Sequence, residues 1–306
     1  MSTHEVATGG LLGPIPLAEV DEVLYHYCST STFQQIISNG TIWLSALTLS
    51  NDSLEGKLVS AVIKRLAESD KIDAQKISSL LTRVDFLEEL FEGLGLCLSK
   101  EGDLLSQWRG YADDANGFSI GFSAKYLDWL GSFNFFQHRA GFQRFNVLYE
   151  EDEHERKLRP PFEEMKASLS AAGLNQLNKL AELLRGPKSD EDIAKEKAAE
   201  DRLSQLILSL VDKWFLLKTN AFREEREVRL LSYLVHGHDS EDVKYRATRN
   251  SIIAYREFSL LEKERMPISR VILGPKQKTP LREVEHFLRI SGFENVKVER
   301  SKATYR

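Results

Sequence analysis

The sequence predicts an α+β protein, and three observations carry that expectation. Short runs of strand character cluster in the first and last thirds of the chain. Between them, residues 160–213 contain a single aromatic, Phe162, and are rich in Ala, Leu, Lys and Glu, the composition of amphipathic helices. The overall composition, 28% charged and 42% hydrophobic with 18 Gly and 8 Pro, is that of a globular chain and excludes a disordered or collagen-like one. At about 150 residues per domain, 306 residues allow one large domain or two ordinary ones. The expected organisation is a flexible lead over 1–20, one domain over 21–306, and a helical insert over 160–213 inside it.

Taken in order, residues 24–28 (LYHYC) read as a buried strand. A helix follows over 31–39, with Ser31 or Thr32 as its cap, Phe33, Ile36 and Ile37 on one face, and Asn39-Gly40 as its stop. Residues 42–49 alternate as a strand, and Asn51-Asp52-Ser53 forms a turn. Leu58, Val62 and Leu66 keep helical step over 54–68, and 74–91 is a second amphipathic stretch. Residues 95–99 are a short strand, 104–112 a helix, and 117–122 and 142–149 strands. Pro160-Pro161 breaks the pattern, and the insert holds two helices separated at Gly186-Pro187. Strands are expected at 227–234, 243–245, 251–258, 271–273 and 296–299, with a helix over 280–290 that begins on Pro280.

Charge and cysteine usage narrow the function. The net charge is −5, yet residues 243–306 hold 15 Lys/Arg against 7 Asp/Glu, and the remainder 26 against 39. A basic final quarter suits an anionic ligand or nucleic acid, or a simple meeting of opposite charges across the fold. The two cysteines, Cys28 and Cys97, stand alone, which argues against zinc and a disulfide framework and for a reducing, cytoplasmic compartment. No window approaches a membrane span, and the first residues lack a basic n-region and a sustained apolar stretch, so neither a membrane nor secretion is expected. Phosphate-loop, GxGxxG, GxSxG and HExxH motifs are missing.

Five constellations can carry chemistry. His26, flanked by Tyr25 and Tyr27, suits a hydrogen bond to a sugar hydroxyl, or a satisfied core position. Asn51, Asp52 and Glu55 suit a polar pocket wall, or a helix cap with an acidic first turn. In Ser106–Tyr111, Trp108 and Tyr111 are three apart on a helix and suit either stacking on a planar ring or anchoring on the sheet; Arg109 lies between them. Glu225, Glu227 and Arg229 alternate onto one face of a strand, as an ion-pair row or as a carboxylate held for chemistry. The tail 301–306 ends in Tyr305 and Arg306, a composition suited to docking rather than fraying.

The order of these pieces resembles a large bacterial family, domain of unknown function 2971. The resemblance rests on LYHYCS, the Asn51-Asp52-x-x-Glu55 turn, Trp108-x-x-Tyr111-Ala-Asp, the Gly117-Phe-x-x-Gly121-Phe strand, Lys218 before Phe222-x-x-Glu225-x-Glu227-x-Arg229, a VILG strand and Ser-x-x-x-Tyr-Arg. Ser53 stands where the family often has Pro. That family in turn looks like a distant branch of the ADP-ribosyltransferase superfamily. The resemblance implies a split β-sheet core with flanking helices and NAD as co-substrate, without a metal. It implies Glu227, His26 and Tyr111 as catalytic residues. His26, Tyr27, Trp108, Tyr111, Glu225 and Arg229 would hold NAD, and Asn51, Asp52, Glu55 and Arg109 would line the acceptor side. The implied activity is transfer of ADP-ribose to a nucleic-acid base or a protein side chain, as a bacterial toxin or anti-phage effector with an antitoxin or phage trigger as partner. Cleavage of the nicotinamide glycosidic bond passes through an oxocarbenium-like centre, which a carboxylate stabilises. Two other readings stay open: a Mg²⁺-dependent nuclease or phosphotransferase using Asp52, Glu55, Glu225 and Glu227, and a non-catalytic nucleotide-sensing module.

Overall fold

The computed structural model describes residues 22–48, 57–138, 141–171, 189–236, 242–248, 250–260, 262 and 265–305. The chain is α+β, as expected. Its first strand, β1 (Val23–Cys28), runs into α1 (Thr30–Asn39) and then β2 (Thr41–Ala46). Ser29, not Ser31 or Thr32, caps α1: its hydroxyl accepts the Thr32 N–H at 3.1 Å. Gly40 closes the helix at φ 60°, a left-handed conformation that glycine adopts without a Cβ penalty.

Two helices, α2 (Leu58–Ser69) and α3 (Ala74–Leu90), lead into β3 (Phe91–Ser99). Then come α4 (Leu105–Tyr111), β4 (Phe118–Ser123), α5 (Ala124–His138) and β5 (Gln143–Asn146). The helical segment comprises α6 (Glu151–Ala171), α7 (Asp190–Leu208) and the short α8 (Val211–Trp214). A 3₁₀ turn (Asn220–Glu225) precedes β6 (Glu227–Val235). The chain closes with β7 (Val243–Ala247), β8 (Ile252–Ser259), β9 (Ile268–Leu273), α9 (Leu281–Ile290) and β10 (Lys297–Arg300). The Asn51-Asp52-Ser53 turn, the helix start at Leu54 and the break at Gly186-Pro187 lie outside the described residues.

One expectation needs correction. Pro160 and Pro161 do not break the chain; both lie inside α6. His154, Leu158, Phe162, Met165 and Leu169 are all buried and recur every three or four residues across the prolines. Each buried apolar side chain is worth about 1.5–3 kcal/mol, so the stripe outweighs the roughly 3 kcal/mol that an interior proline costs. The helical segment therefore begins at Glu151. No element was expected where α5 lies. Tyr126, Leu127 and Leu130 are buried and Trp129 and Phe133 stack on each other, so apolar residues crowd most of the helix and leave only a narrow polar strip at Asp128 and Ser132.

All ten strands form one sheet, antiparallel throughout except for β9 and β10. Its spine is β3. Along one edge β3 pairs with β6 over its whole length, from Phe91–Val235 to Ser99–Glu227. Along the other edge it holds two strands end to end: β2 through Ser45–Gly95 and Ala46–Leu94, and β1 through Tyr25–Ser99. Beyond those pairs β1 and β2 splay away, β1 to join β4–β9–β10 and β2 to join β8–β7. The sheet is forked, and α1 bridges the two prongs.

Alternation along the spine separates two cores. Leu94, Leu96 and Leu98 face a core with α1, α5 and α9. Gly93 and Gly95 face the other, built from α2, α3, α6 and α7. A Cβ at Gly93 would lie 2.4 Å from the Phe215 ring, and one at Gly95 2.8 Å from Leu47. Glycine at both positions lets that helical layer seat directly on the strand. A smaller cluster of Tyr25, Tyr27, Trp108 and Ile272 holds α4. No helix among the described residues is long and apolar enough to cross a membrane.

Candidate functional site

A cavity of about 420 Å³ lies in the fork, within the span of small-ligand sites, about 300–1,000 Å³. Its walls come from β1, α1, β2 and β3, with Tyr111 of α4 and Arg246 of β7. Ser45 pairs with Gly95, Cys97 with Arg229, and Ser99 with Glu227. Directly paired residues share a face, so the Ser45 wall and the Glu227–Arg229 row lie on the same side of the sheet.

His26 stands where β1 leaves β3. Its Nδ1 is 3.0 Å from the Cys97 carbonyl, so the imidazole fills the opening that the strand ladder vacates. A carbonyl only accepts, so Nδ1 carries the proton and Nε2 is left as an acceptor. Burial lowers the His26 pKa, partly opposed by the Cys97 bond, and keeps the ring neutral. Tyr27 also lines the cavity, but its hydroxyl is committed: it donates to the Glu101 carbonyl at 2.7 Å and accepts from the Leu104 N–H at 2.9 Å.

The aromatics of α4 divide their roles. Trp108 is fully buried, packs edge-on against Tyr27 at 4.9 Å and donates from Nε1 to Asp103 at 2.7 Å. It does not line the cavity, so the expected stacking role on NAD does not fall to it; it anchors the helix. Tyr111 is 40% exposed, lines the cavity and donates to Glu225 Oε1 at 2.9 Å. Partial burial and the Glu225 carboxylate push its phenol up. Arg109 is exposed and lies over the Tyr305 ring at 5.7 Å, away from the cavity lining.

From Tyr111 a charged row runs into the protein. Glu225 Oε2 accepts from Lys218 Nζ at 2.6 Å, and the same ammonium donates to Glu227 Oε2 at 3.0 Å. Arg229 closes the row: Nε donates to Glu227 Oε1 at 2.7 Å and one terminal nitrogen to Oε2 at 3.1 Å, while the other donates to the Phe215 carbonyl. The Glu227 and Lys218 side chains are each 5% exposed and that of Glu225 13%. Burial on its own would raise Glu227, but Arg229 and Lys218 overcome it and bring the carboxyl down to about 2. Burial likewise opposes the charge on Lys218, and the two carboxylates hold its pKa above the ordinary value. The turn carrying Glu225 is fixed from β3, where Ser99 Oγ donates to the Glu225 carbonyl at 2.7 Å. Arg226 then takes φ 44° and swings the chain into β6.

The structure thus brings His26, Tyr27 and Tyr111 to the cavity, and Glu225, Glu227 and Arg229 to a row one hydrogen bond from it. Asn51, Asp52, Glu55 and Arg306 lie outside the described residues. The rest of the tail docks: Lys302 N–H donates to Asp103 at 2.7 Å, Ser301 bonds the same carboxylate, and Tyr305 donates to Asp114 at 2.7 Å. It clasps α4 rather than covering the cavity. Sequence reasoning gave no site role to Lys218, although a lysine after the apolar run FLL and before two glutamates is a legible signal. It also missed Cys97, Trp43 and Arg246, which reach the cavity only through strand pairing.

Residues 107–230 match the family described as protein of unknown function, DUF2971. That span holds α4, the helical segment and the charged row, while His26 lies outside it. No curated protein and no solved structure matches the chain.

Proposed function

We propose that the chain is an NAD-dependent ADP-ribosyltransferase whose nicotinamide glycosidic bond is cleaved at the mouth of the fork. The observation that carries this reading is a neutral imidazole and an exposed tyrosine at one cavity between splayed strands, with the Glu225 carboxyl one hydrogen bond behind the tyrosine. His26 Nε2 is placed to accept from a ribose hydroxyl, and Tyr111 offers a ring face to nicotinamide. Glu225 is the better carboxylate to meet the oxocarbenium-like centre, because it is the more exposed and touches Tyr111. Glu227, with both oxygens bonded to cations, sets Lys218, and Lys218 holds the Glu225 carboxyl in place through its hydrogen bond to Oε2. The acceptor is a nucleic-acid base or a protein side chain, in keeping with a toxin or anti-phage effector.

One observation favours a non-catalytic nucleotide-binding module instead: Lys218 and Arg229 between them already balance both carboxylates. The same ion pairs weigh against Glu225 and Glu227 as Mg²⁺ ligands, since a metal would displace a buried ammonium. The deciding experiment incubates the protein with NAD⁺ labelled on the adenine side and cell lysate, comparing wild type with Glu225→Gln and Glu227→Gln. Label reaching RNA, DNA or protein with wild type, and lost with Glu225→Gln in a folded variant, is the expected result. NAD⁺ binding without transfer or nicotinamide release would leave the sensing module. No NAD⁺ binding would overturn both.

A further inference from the structure

The wall of the fork opposite His26 holds a cation that the charged row does not use. Arg246 projects from β7, pairs across the ladder with Ile253, and reaches over β8 to the cavity. Its one hydrogen bond among the described residues is long, from a terminal nitrogen to Ser45 Oγ at 3.4 Å. Its Nε is buried and has no partner. The carboxylate on the neighbouring strand, Glu257, is already occupied: Oε1 accepts from Lys244 at 2.7 Å and Oε2 from the Trp43 indole at 2.8 Å. No salt bridge to Arg246 occurs among the described residues, and it is the one formally charged side chain lining the cavity besides the neutral His26. The terminal nitrogens, held only by that long bond to a side chain that also lines the cavity, are the donors an incoming oxyanion would meet. Arg presents paired donors suited to phosphate oxygens.

We propose that Arg246, with the Ser45 hydroxyl, forms the phosphate-binding subsite of the fork cavity and selects ligands that carry a nucleoside diphosphate. Trp43 stands beside it on β2, its indole pinned by Glu257 and packed on Tyr255 at 4.5 Å, so one face of the subsite is rigid. The assignment deepens the NAD reading and rests on it only for the name of the ligand; the anion subsite itself follows from a guanidinium at the cavity wall that is held by one long hydrogen bond and has no carboxylate partner among the described residues.

Titration calorimetry with ADP-ribose, ADP, inorganic pyrophosphate and adenosine tests it, on wild type, Arg246→Gln and Arg246→Lys. Wild type is expected to bind ADP-ribose and ADP at least tenfold more tightly than adenosine. Arg246→Gln should lose that advantage and keep its adenosine affinity, and Arg246→Lys should recover part of it. Melting curves of the free proteins confirm that the variants are folded. Equal binding of ADP by wild type and a folded Arg246→Gln overturns the proposal, as does failure of wild type to bind any of the phosphorylated ligands. The failures are separable. Arg246-dependent ADP binding without any NAD⁺ turnover sinks the transferase and leaves the subsite. Transfer activity with an unchanged KM for NAD⁺ in Arg246→Gln sinks the subsite and leaves the transferase.

Discussion

Lys218 joins two carboxylates that would otherwise repel each other, and its own charge survives burial only because both are there. Breaking such a buried set by removing one partner costs about 3–5 kcal/mol. Lys218→Met should therefore lower the unfolding free energy from urea titration by that order, whereas a change under about 1 kcal/mol would mean that the row is solvated. Glu227 adds a pH signature. Its folded pKa, about 2, lies below the ordinary value of about 4.3. Its contribution is complete above that ordinary value and is lost as pH falls from there through 2. In Glu227→Gln, stability should be lower at neutral pH and the fall between pH 4.5 and 2.5 shallower; an unchanged slope would assign the acid sensitivity elsewhere. The row was legible in the sequence because Glu225, Glu227 and Arg229 are close in the chain and strand alternation puts them on one face. Arg246 was not legible as a site residue, since nothing in VKYRA shows that β7 folds back towards a cavity whose other walls come from the first part of the chain.

At the level of elements, a pattern was readable where one face met water. The helices over Ala74–Leu90 and Leu281–Ile290 appear at their expected places. Where apolar residues crowd most of an element, as in α5, or where tertiary packing overrides a local breaker, as in α6, the local signal fails. The fork itself was not legible in the sequence, because two strands sharing one edge of β3 is a long-range arrangement. The tail shows what such contacts do for α4. Asp103 accepts from the Trp108 indole, from Ser301 and from the Lys302 N–H, so one carboxylate ties the tail and the helix together. Hydrogen bonds to a charged group are worth about 1.5–3 kcal/mol. Asp103→Ala should free the tail and raise amide exchange in Leu105–Tyr111, weakening the hold on Tyr111. Unchanged protection of that helix would show that Trp108 packing suffices without the clasp.

At the scale of the whole molecule, the question is whether the helical segment is an appendage or part of one folding unit. The two cores lie on opposite faces of the same two strands, β3 and β6. Leu94 and Leu230 belong to the first core, and Leu231 and Phe215 to the second, with Gly93 in van der Waals conflict with anything larger opposite Phe215. Loss of either core strips one face of the spine and leaves the other core packed on a strand pair open to water. The cores should therefore unfold together. Leu94→Ala and Leu231→Ala each remove a buried leucine at a cost of about 2–5 kcal/mol. Each should move a single urea transition, followed by both tryptophan fluorescence and far-ultraviolet circular dichroism, with the slope unchanged. The tryptophans report from both cores and from the fork: Trp214 packs in the second core, Trp129 against the first, and Trp43 at the cavity. Two resolved transitions, with Leu231→Ala moving only one, would instead make the helical segment a separate unit. Deleting it would then leave the fork intact. Under the single transition expected here, the same deletion exposes the Gly93–Gly95 face of β3 and removes the support of the charged row.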